Sequence, residues 1–330
     1  MTTGQLQGTS LAIHKELRRR GIAVTGYRAG RTSCIVFEYA GQTRFITGSA
    51  PDIASGTSRV IVDNKELVGR LLSQSGEFDE WLIPSLVVHD RGAAEGFLRE
   101  YGVAVVKPID AAHGDGVTTG VCDAAGLERA IDWAQQHTKG GGVLMQRHVE
   151  GGDYRFIVID GEVVAAIQRC PAEVEGDGVH TIEELIIRDN ENNPRRGRRP
   201  YEKAMDPIKM EAVRAFLSDD ELYRIPADGE RVQVTGVANI SSGGYAIECL
   251  NEVPDKVKQM AVRVAAYFGL FICGVDVMAS DDFREVKLIE LNASPALMPY
   301  YNPLIGTPAN VPSIYIDKLL AAYDRTSSFD

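Results

Sequence analysis

Apolar positions at Leu11, Ile13 and Leu17 in TSLAIHKELRRR predict a helix over residues 9–20, started by Thr9 or Ser10 and ended at Gly21. The β-branched and aromatic runs IAVTGY and CIVFEY predict short strands. From Ile61 the stretch IVDNKELVGRLLSQSG reads as a strand end followed by a helix. VAVVKPI (residues 103–109) is an apolar strand broken by one lysine, and the glycine-rich AAHGDGVTTG comes soon after it. DAAGLERAIDWAQQH predicts an amphipathic helix, and GGVLMQRHV another strand. In YRFIVIDGEVVAAIQR the Asp-Gly pair between two apolar runs predicts a hairpin. Past the turn LNEVP the pattern predicts a helix over 255–268. GLFICGVDVMA and EVKLIELNASP then read as strands, and VPSIYIDKLLAAY as a closing helix. The expected fold class is α/β or α+β.

Two segments stand outside this pattern. RDNENNPRRGRR (residues 188–199) is polar, turn-rich and basic, and is expected to be a surface loop with a closing lid as its sharper reading. Arg18, Arg19 and Arg20 are expected to form a solvated face at the end of the first helix. The 330 residues suffice for two or three packed lobes, and a formal charge of −11 argues against a nucleic-acid partner. The five cysteines are widely spaced without a CxxC pair, so reduced buried thiols are expected. There is no signal-peptide layout at the N-terminus and no apolar run of the roughly 20 residues that span a bilayer. A cytoplasmic protein with no membrane partner is therefore expected, and a homo-oligomer is left open.

Chemistry gathers at two places. Glu290 and Asn292 lie two apart in a strand and so share a face. With Asp276 from another strand they make a set of hard oxygen donors of the kind Mg²⁺ takes. Lys107 sits within an apolar strand, where an ammonium needs a negative partner, and a glycine loop that could approach phosphates follows it. Neither a Walker sequence nor a GxGxxG opening a helix is present.

VVKPIDAAHGDGV, DYRFIVIDGEVVAAIQR, GDGVHTIEELI, ANISSGGYAI and GVDVMA…IELNASPAL, in this order, resemble the ATP-grasp ligases. The likeness is closest to the ATP-grasp domains of cyanophycin synthetase and of fused bacterial glutathione synthetases, and it covers roughly residues 60–320. It implies ATP held between two lobes, at 61–150 and 151–330, beside a small N-terminal lobe at 1–60. It also implies that Lys65 and Lys107 hold the nucleotide's phosphates and that His113, Gly114, Asp115, Gly116 and Val117 close over them. Gln146, Arg147, His148 and Val149 would be the hinge that reads adenine. Arg155 and Arg169 would hold phosphate or carboxylate, Asn239 with Ser241 to Gly244 would form the loop next to the acyl site, and Asp276, Glu290 and Asn292 would bind magnesium, as a pair of ions. The implied reaction joins a carboxylate of an amino acid or peptide to an amine through an acyl phosphate. Closure of a lactam within one substrate, a phosphotransferase and a non-catalytic nucleotide module are the alternatives. One departure is Thr235-Gly236, where such ligases carry an arginine shortly before ANxSxGG, with Arg231 as the nearest stand-in. The tail ALMPYYNPL also departs from the relatives, on the substrate side.

Overall fold

The computed structural model describes residues 6–30, 32–110, 116–197 and 203–327. The chain begins with α1 (Gly8–Arg19), β1 (Val24–Ala29), β2 (Thr32–Tyr39), β3 (Gln42–Thr47), β4 (Ala50–Pro51), α2 (Gly56–Val62) and α3 (Lys65–Ser75). Next come β5 (Ser85–Val87), α4 (Arg91–Tyr101), β6 (Ala104–Pro108), β7 (Thr118–Val121), α5 (Ala124–His137) and β8 (Val143–Arg147). The middle holds β9 (Gly152–Ile159), β10 (Glu162–Cys170), β11 (Glu173–Glu175), α6 (Ile182–Asn192), α7 (Met210–Arg214), α8 (Asp219–Leu222), β12 (Arg231–Gln233) and β13 (Tyr245–Glu248). It closes with α9 (Asp255–Tyr267), β14 (Ile272–Ala279), β15 (Val286–Asn292) and α10 (Val311–Ser327). Tertiary contacts divide the chain into two compact units. The first is Met1–Ser58, Asp153–Val275 and Asn292–Asp330, and the second is Arg59–Gly152 and Asp276–Leu291.

In the first unit, β1 to β4 form an antiparallel meander, and β13, β10, β9 and β14 lie side by side in that order. Of the lobe expected at 1–60, the described residues up to Ser58 share one core with the rest of this unit. Ile13, Leu17, Ile35, Phe37 and Ile46 pack with Ile157, Ile167, Tyr315, Leu319 and Tyr323. α10 packs on the same core through Tyr315, Leu319 and Tyr323. Arg20 reinforces the contact. Its guanidinium bonds Asp317 Oδ1 at 2.6 Å and Ser313 Oγ at 3.0 Å, so it is a bound side chain and not part of a solvated face.

The second unit is a four-stranded antiparallel sheet, ordered β5-β8-β6-β7, with α4 and α5 on one face. Ala104, Val106, Val143 and Met145 point into the helix-covered core. By alternation, the other face carries Lys107, Leu144 and Gln146, with Lys107 opposite Leu144 in the ladder. The unit also takes in Asp276–Leu291, so the end of β14 and nearly all of β15 belong with it.

Several local expectations meet the structure differently. The run at 61–62 ends helix α2 and is not a strand. The first helix starts at Gly8 behind Gln7, with no side-chain cap from Thr9 or Ser10. Asn64 caps α3 by accepting the Leu67 N–H at 2.9 Å, which sets Lys65 in the first helical turn. Asp160 (φ 50°) and Gly161 (φ 76°) make the expected two-residue hairpin turn, whose twist matches its strands. Of the thiols, Cys249 and Cys273 are buried but Cys122 is exposed, and all five are free. Burial pushes the Cys249 thiol up to about 12.

Candidate active site

The second unit gathers three charged side chains around Lys107. Lys107 is 6% exposed, and burial pulls its ammonium down to about 8. Glu290 and Asp276 oppose that shift, while Lys65 adds to it. Lys65 Nζ lies 3.7 Å from Glu290 Oε1. Two ammonium groups and two carboxylates in one low-dielectric neighbourhood form a nearly balanced cluster.

A cavity of about 740 Å³ opens in this unit, on the sheet face away from α4 and α5. Lys65, Gln146 and Glu290 line it from three distant stretches of sequence, with Leu86, Leu144 and Leu288 as its apolar walls. That size and mixture suit a nucleotide-sized ligand. Gln146 is steadied by its Nε2 donating to Ser85 Oγ at 2.9 Å. The backbone N–H groups of Arg147 and His148 are taken by Pro84 O and Val103 O. Arg147 reaches Glu285 Oε1 at 3.1 Å, and Val149 is buried. Arg147 Nε and His148 Nδ1 are buried without a hydrogen-bond partner among the described residues. Of the expected closing loop, Gly116 (φ 72°) and Val117 are described, whereas His113, Gly114 and Asp115 lie outside the described residues.

The first unit holds the remaining candidates. Arg169 donates from Nε (2.9 Å) and Nη2 (2.5 Å) to Asp153 Oδ1 on the paired strand. Arg155 lies on β9, opposite Ile167 in the ladder. Asn239 opens the short turn Ile240–Ser242, and its carbonyl accepts the N–H groups of Ser242 and Gly244. Asn292 Oδ1 accepts the Ser294 N–H at 2.9 Å, a local turn that orients the amide. Thr235 is fully buried, and its hydroxyl accepts the Ala172 N–H at 2.9 Å. Arg231 does not replace a buried arginine there: its side chain is 72% exposed and lies 3.5 Å from Glu173.

The segment expected as a loop or lid over 188–199 is helix α6 up to Asn192. Asn190 holds Ile208 through both its backbone groups, and Arg196 is 7% exposed. Sequence reasoning missed Arg196 and also Asp153, the partner of Arg169.

Gly48 packs against the strand end that carries Asn292. At φ 66°, a Cβ there would stand 2.5 Å from Ser294 Oγ, which also accepts the Ser49 N–H at 3.1 Å. Gly48→Ala is therefore expected to cost about 1–3 kcal/mol of stability. Urea midpoints of variant and parent check this, and an unchanged midpoint would contradict it.

Comparison with known proteins bears on the same residues. A family model described as "Prokaryotic glutathione synthetase, ATP-grasp domain" matches residues 69–180, and one described as "RimK-like ATP-grasp domain" matches 210–306. Cyanophycin synthetase of Crocosphaera subtropica is 35% identical over 223 residues, which is 65% of this chain and 25% of that protein. The cyanophycin synthetase of Trichormus variabilis is 29% identical over 93% of this chain and 34% of its own length. The glutathione biosynthesis bifunctional protein of Streptococcus agalactiae is 33% identical over 58% of this chain and 27% of its own. This chain thus spans a quarter to a third of the length of these relatives. A bifunctional glutathione synthetase from Pasteurella multocida superposes with a TM-score of 0.66 at 24% identity, over 96% of this chain and 44% of that one. The two matching models together cover well over half of the sequence, and this chain belongs to the ATP-grasp family.

Proposed function

We propose that this protein is an ADP-forming ligase that activates a carboxylate of an amino acid or peptide with ATP and joins it to an amine. One observation carries the reading: Lys65, Gln146 and Glu290 line one nucleotide-sized cavity, beside the buried ammonium of Lys107. The substrate class extends from the relatives, which are named for the synthesis of cyanophycin and of glutathione.

In this reading Lys65 and Lys107 hold phosphate oxygens, and Gln146 to Val149 meet the base. Asp276, Glu290 and Asn292 fit magnesium: two carboxylates and an amide are hard oxygen donors. Among the described residues no group of three or more His, Cys, Asp or Glu could hold a metal ion. Mg²⁺ keeps water and takes phosphate oxygens, so it needs few protein ligands. When bound, the metal would neutralise charge on the transferred phosphoryl group. The attacking carboxylate oxygen and the γ-phosphorus must be aligned in line, and Arg155, Arg169 and Asn239 are the side chains we assign to that task. Asp153 fixes the guanidinium plane of Arg169. The amine then displaces phosphate from the acyl group, and water must be kept out until it does. No described helix is long and apolar enough to cross a membrane.

Coupled-assay measurement of ADP across the amino acids and a dipeptide set, with Mg²⁺ present, tests the proposal. ADP release that needs both a carboxylate and an amine is the expected result. Release that ignores both, at a rate no substrate changes, would overturn it.

A further inference from the structure

We propose that Arg196 is a positioning residue for the loop at 239–244, and that residues 189–197 are a fixed buttress of the acyl site and not its lid. This rests on the ligase reading above and deepens it.

The geometry is specific. Arg196 Nε pairs with Asp189 on α6. Its Nη1 donates to two backbone carbonyls, Asp206 O at 2.8 Å and Gly243 O at 2.7 Å. One planar guanidinium therefore joins a helix, the 205–208 segment and the Asn239–Gly244 loop. Its side chain is only 2% exposed, a location that charge tolerates when a counter-ion and carbonyl acceptors surround it. Lysine cannot copy this, because a single ammonium lacks the rigid fork.

The loop it holds has little freedom on that side. Gly243 adopts φ 103°, and a Cβ there would meet Ile208 Cα at 2.5 Å. A Cβ on Gly244 would stand 2.5 Å from Cys170 O. Ser242 O accepts the Lys209 N–H at 3.4 Å, so the Ser242 and Gly243 carbonyls are held by Lys209 and Arg196 in turn. Internal bonds close the turn, from Gly243 N to Ile240 O and from Gly244 N to Asn239 O. Ser241 is exposed and Asn239 half-buried. Asn190 locks the other arm, donating to Ile208 O at 3.0 Å and accepting its N–H at 2.7 Å. A lid would need this interlocked set to break and re-form at every turnover. A buttress needs only that it stay.

Arg196→Lys and Arg196→Ala test the inference, using the first amino acid or dipeptide that supports ADP release by the parent. The expected result is a KM for that compound raised about tenfold or more, with the Kd of a non-hydrolysable ATP analogue within twofold of the parent. Hydrogen exchange should quicken in the peptide spanning 239–245 and leave β5 to β8 unchanged. Millimolar guanidinium should restore part of the lost rate to Arg196→Ala and none to Arg196→Lys. If Arg196→Ala does not fold, Arg196→Lys, which keeps a charge beside Asp189, carries the test alone through KM and exchange. An unchanged KM and unchanged exchange in Arg196→Lys would overturn the inference while the ligase reading stands. A parent that releases no ADP with any carboxylate overturns both.

Discussion

Glu290→Gln is expected to lower ADP formation at least a hundredfold while the protein stays folded. Glu290 sits near the end of β15 and lines the cavity, with its side chain about one third exposed, so the core does not depend on it. Its pair with Lys65, at 3.7 Å, contributes about 1 kcal/mol or less to stability. In the proposed site the lost carboxylate would bind the metal and act on the charge that builds in the transition state, where one such interaction is worth about 3 kcal/mol or more. Asn292→Ala should behave alike in rate. Steady-state ADP release at saturating Mg²⁺, with thermal melting as the folding control, decides the matter. A rate within a few-fold of the parent would remove Glu290 from the metal site.

Lys107→Met is expected to separate binding from stability. Charge-assisted contacts to phosphate are worth up to about 3 kcal/mol, so the Kd of a non-hydrolysable ATP analogue should rise about a hundredfold. Stability should move the other way. Burial holds the folded ammonium at about 8 against an ordinary 10.5, which corresponds to a penalty of about 3 kcal/mol below pH 8. Between those pH values the unfolded chain binds the extra proton, so the parent gains stability as pH rises through that window. The variant lacks this gain. It should be the more stable protein at pH 7, with its advantage shrinking towards pH 10. Titration calorimetry and urea melts at pH 7, 8, 9 and 10 measure both effects. Equal affinity, or an advantage that widens with pH, would contradict the assignment.

What the sequence made legible were the elements with one dominant signal. Lys107 stood out because a charge in VAVVKPI has few explanations, and β6 is where that run predicts it. The Asp-Gly turn, β14, β15, α9 and α10 follow from plain periodicity. The misses have physical causes. In α2, the run VIV favours a strand by propensity, but tertiary context makes it helical. Residues 188–192 looked like a loop because an apolar pattern cannot register a helix whose later turns are held by side-chain hydrogen bonds to buried backbone, as at Asn190. Asp153 was hidden by one bulge. The hairpin turn alone puts Arg169 opposite Gly152, and the irregularity between Val163 and Ala165 shifts it onto Asp153. The core shared by residues 1–58 and α10 depends on partners nearly 300 positions apart, which no local pattern contains.

The central claim is that ATP activates a carboxylate for attack by an amine. Incubation of the protein with ATP, Mg²⁺, molar hydroxylamine and each acid that supports ADP release, read by mass spectrometry, tests it most directly. An acyl phosphate reacts with hydroxylamine, so the account predicts a hydroxamate of the acid with one phosphate freed per ADP. An acid bearing its own well-placed amine would instead give a product lighter by one water, because effective concentrations within one molecule reach about 10⁵ M or more and outcompete the added nucleophile. A phosphorylated substrate that persists in hydroxylamine, with neither hydroxamate nor dehydrated product, would show phosphoryl transfer to another group and contradict the account.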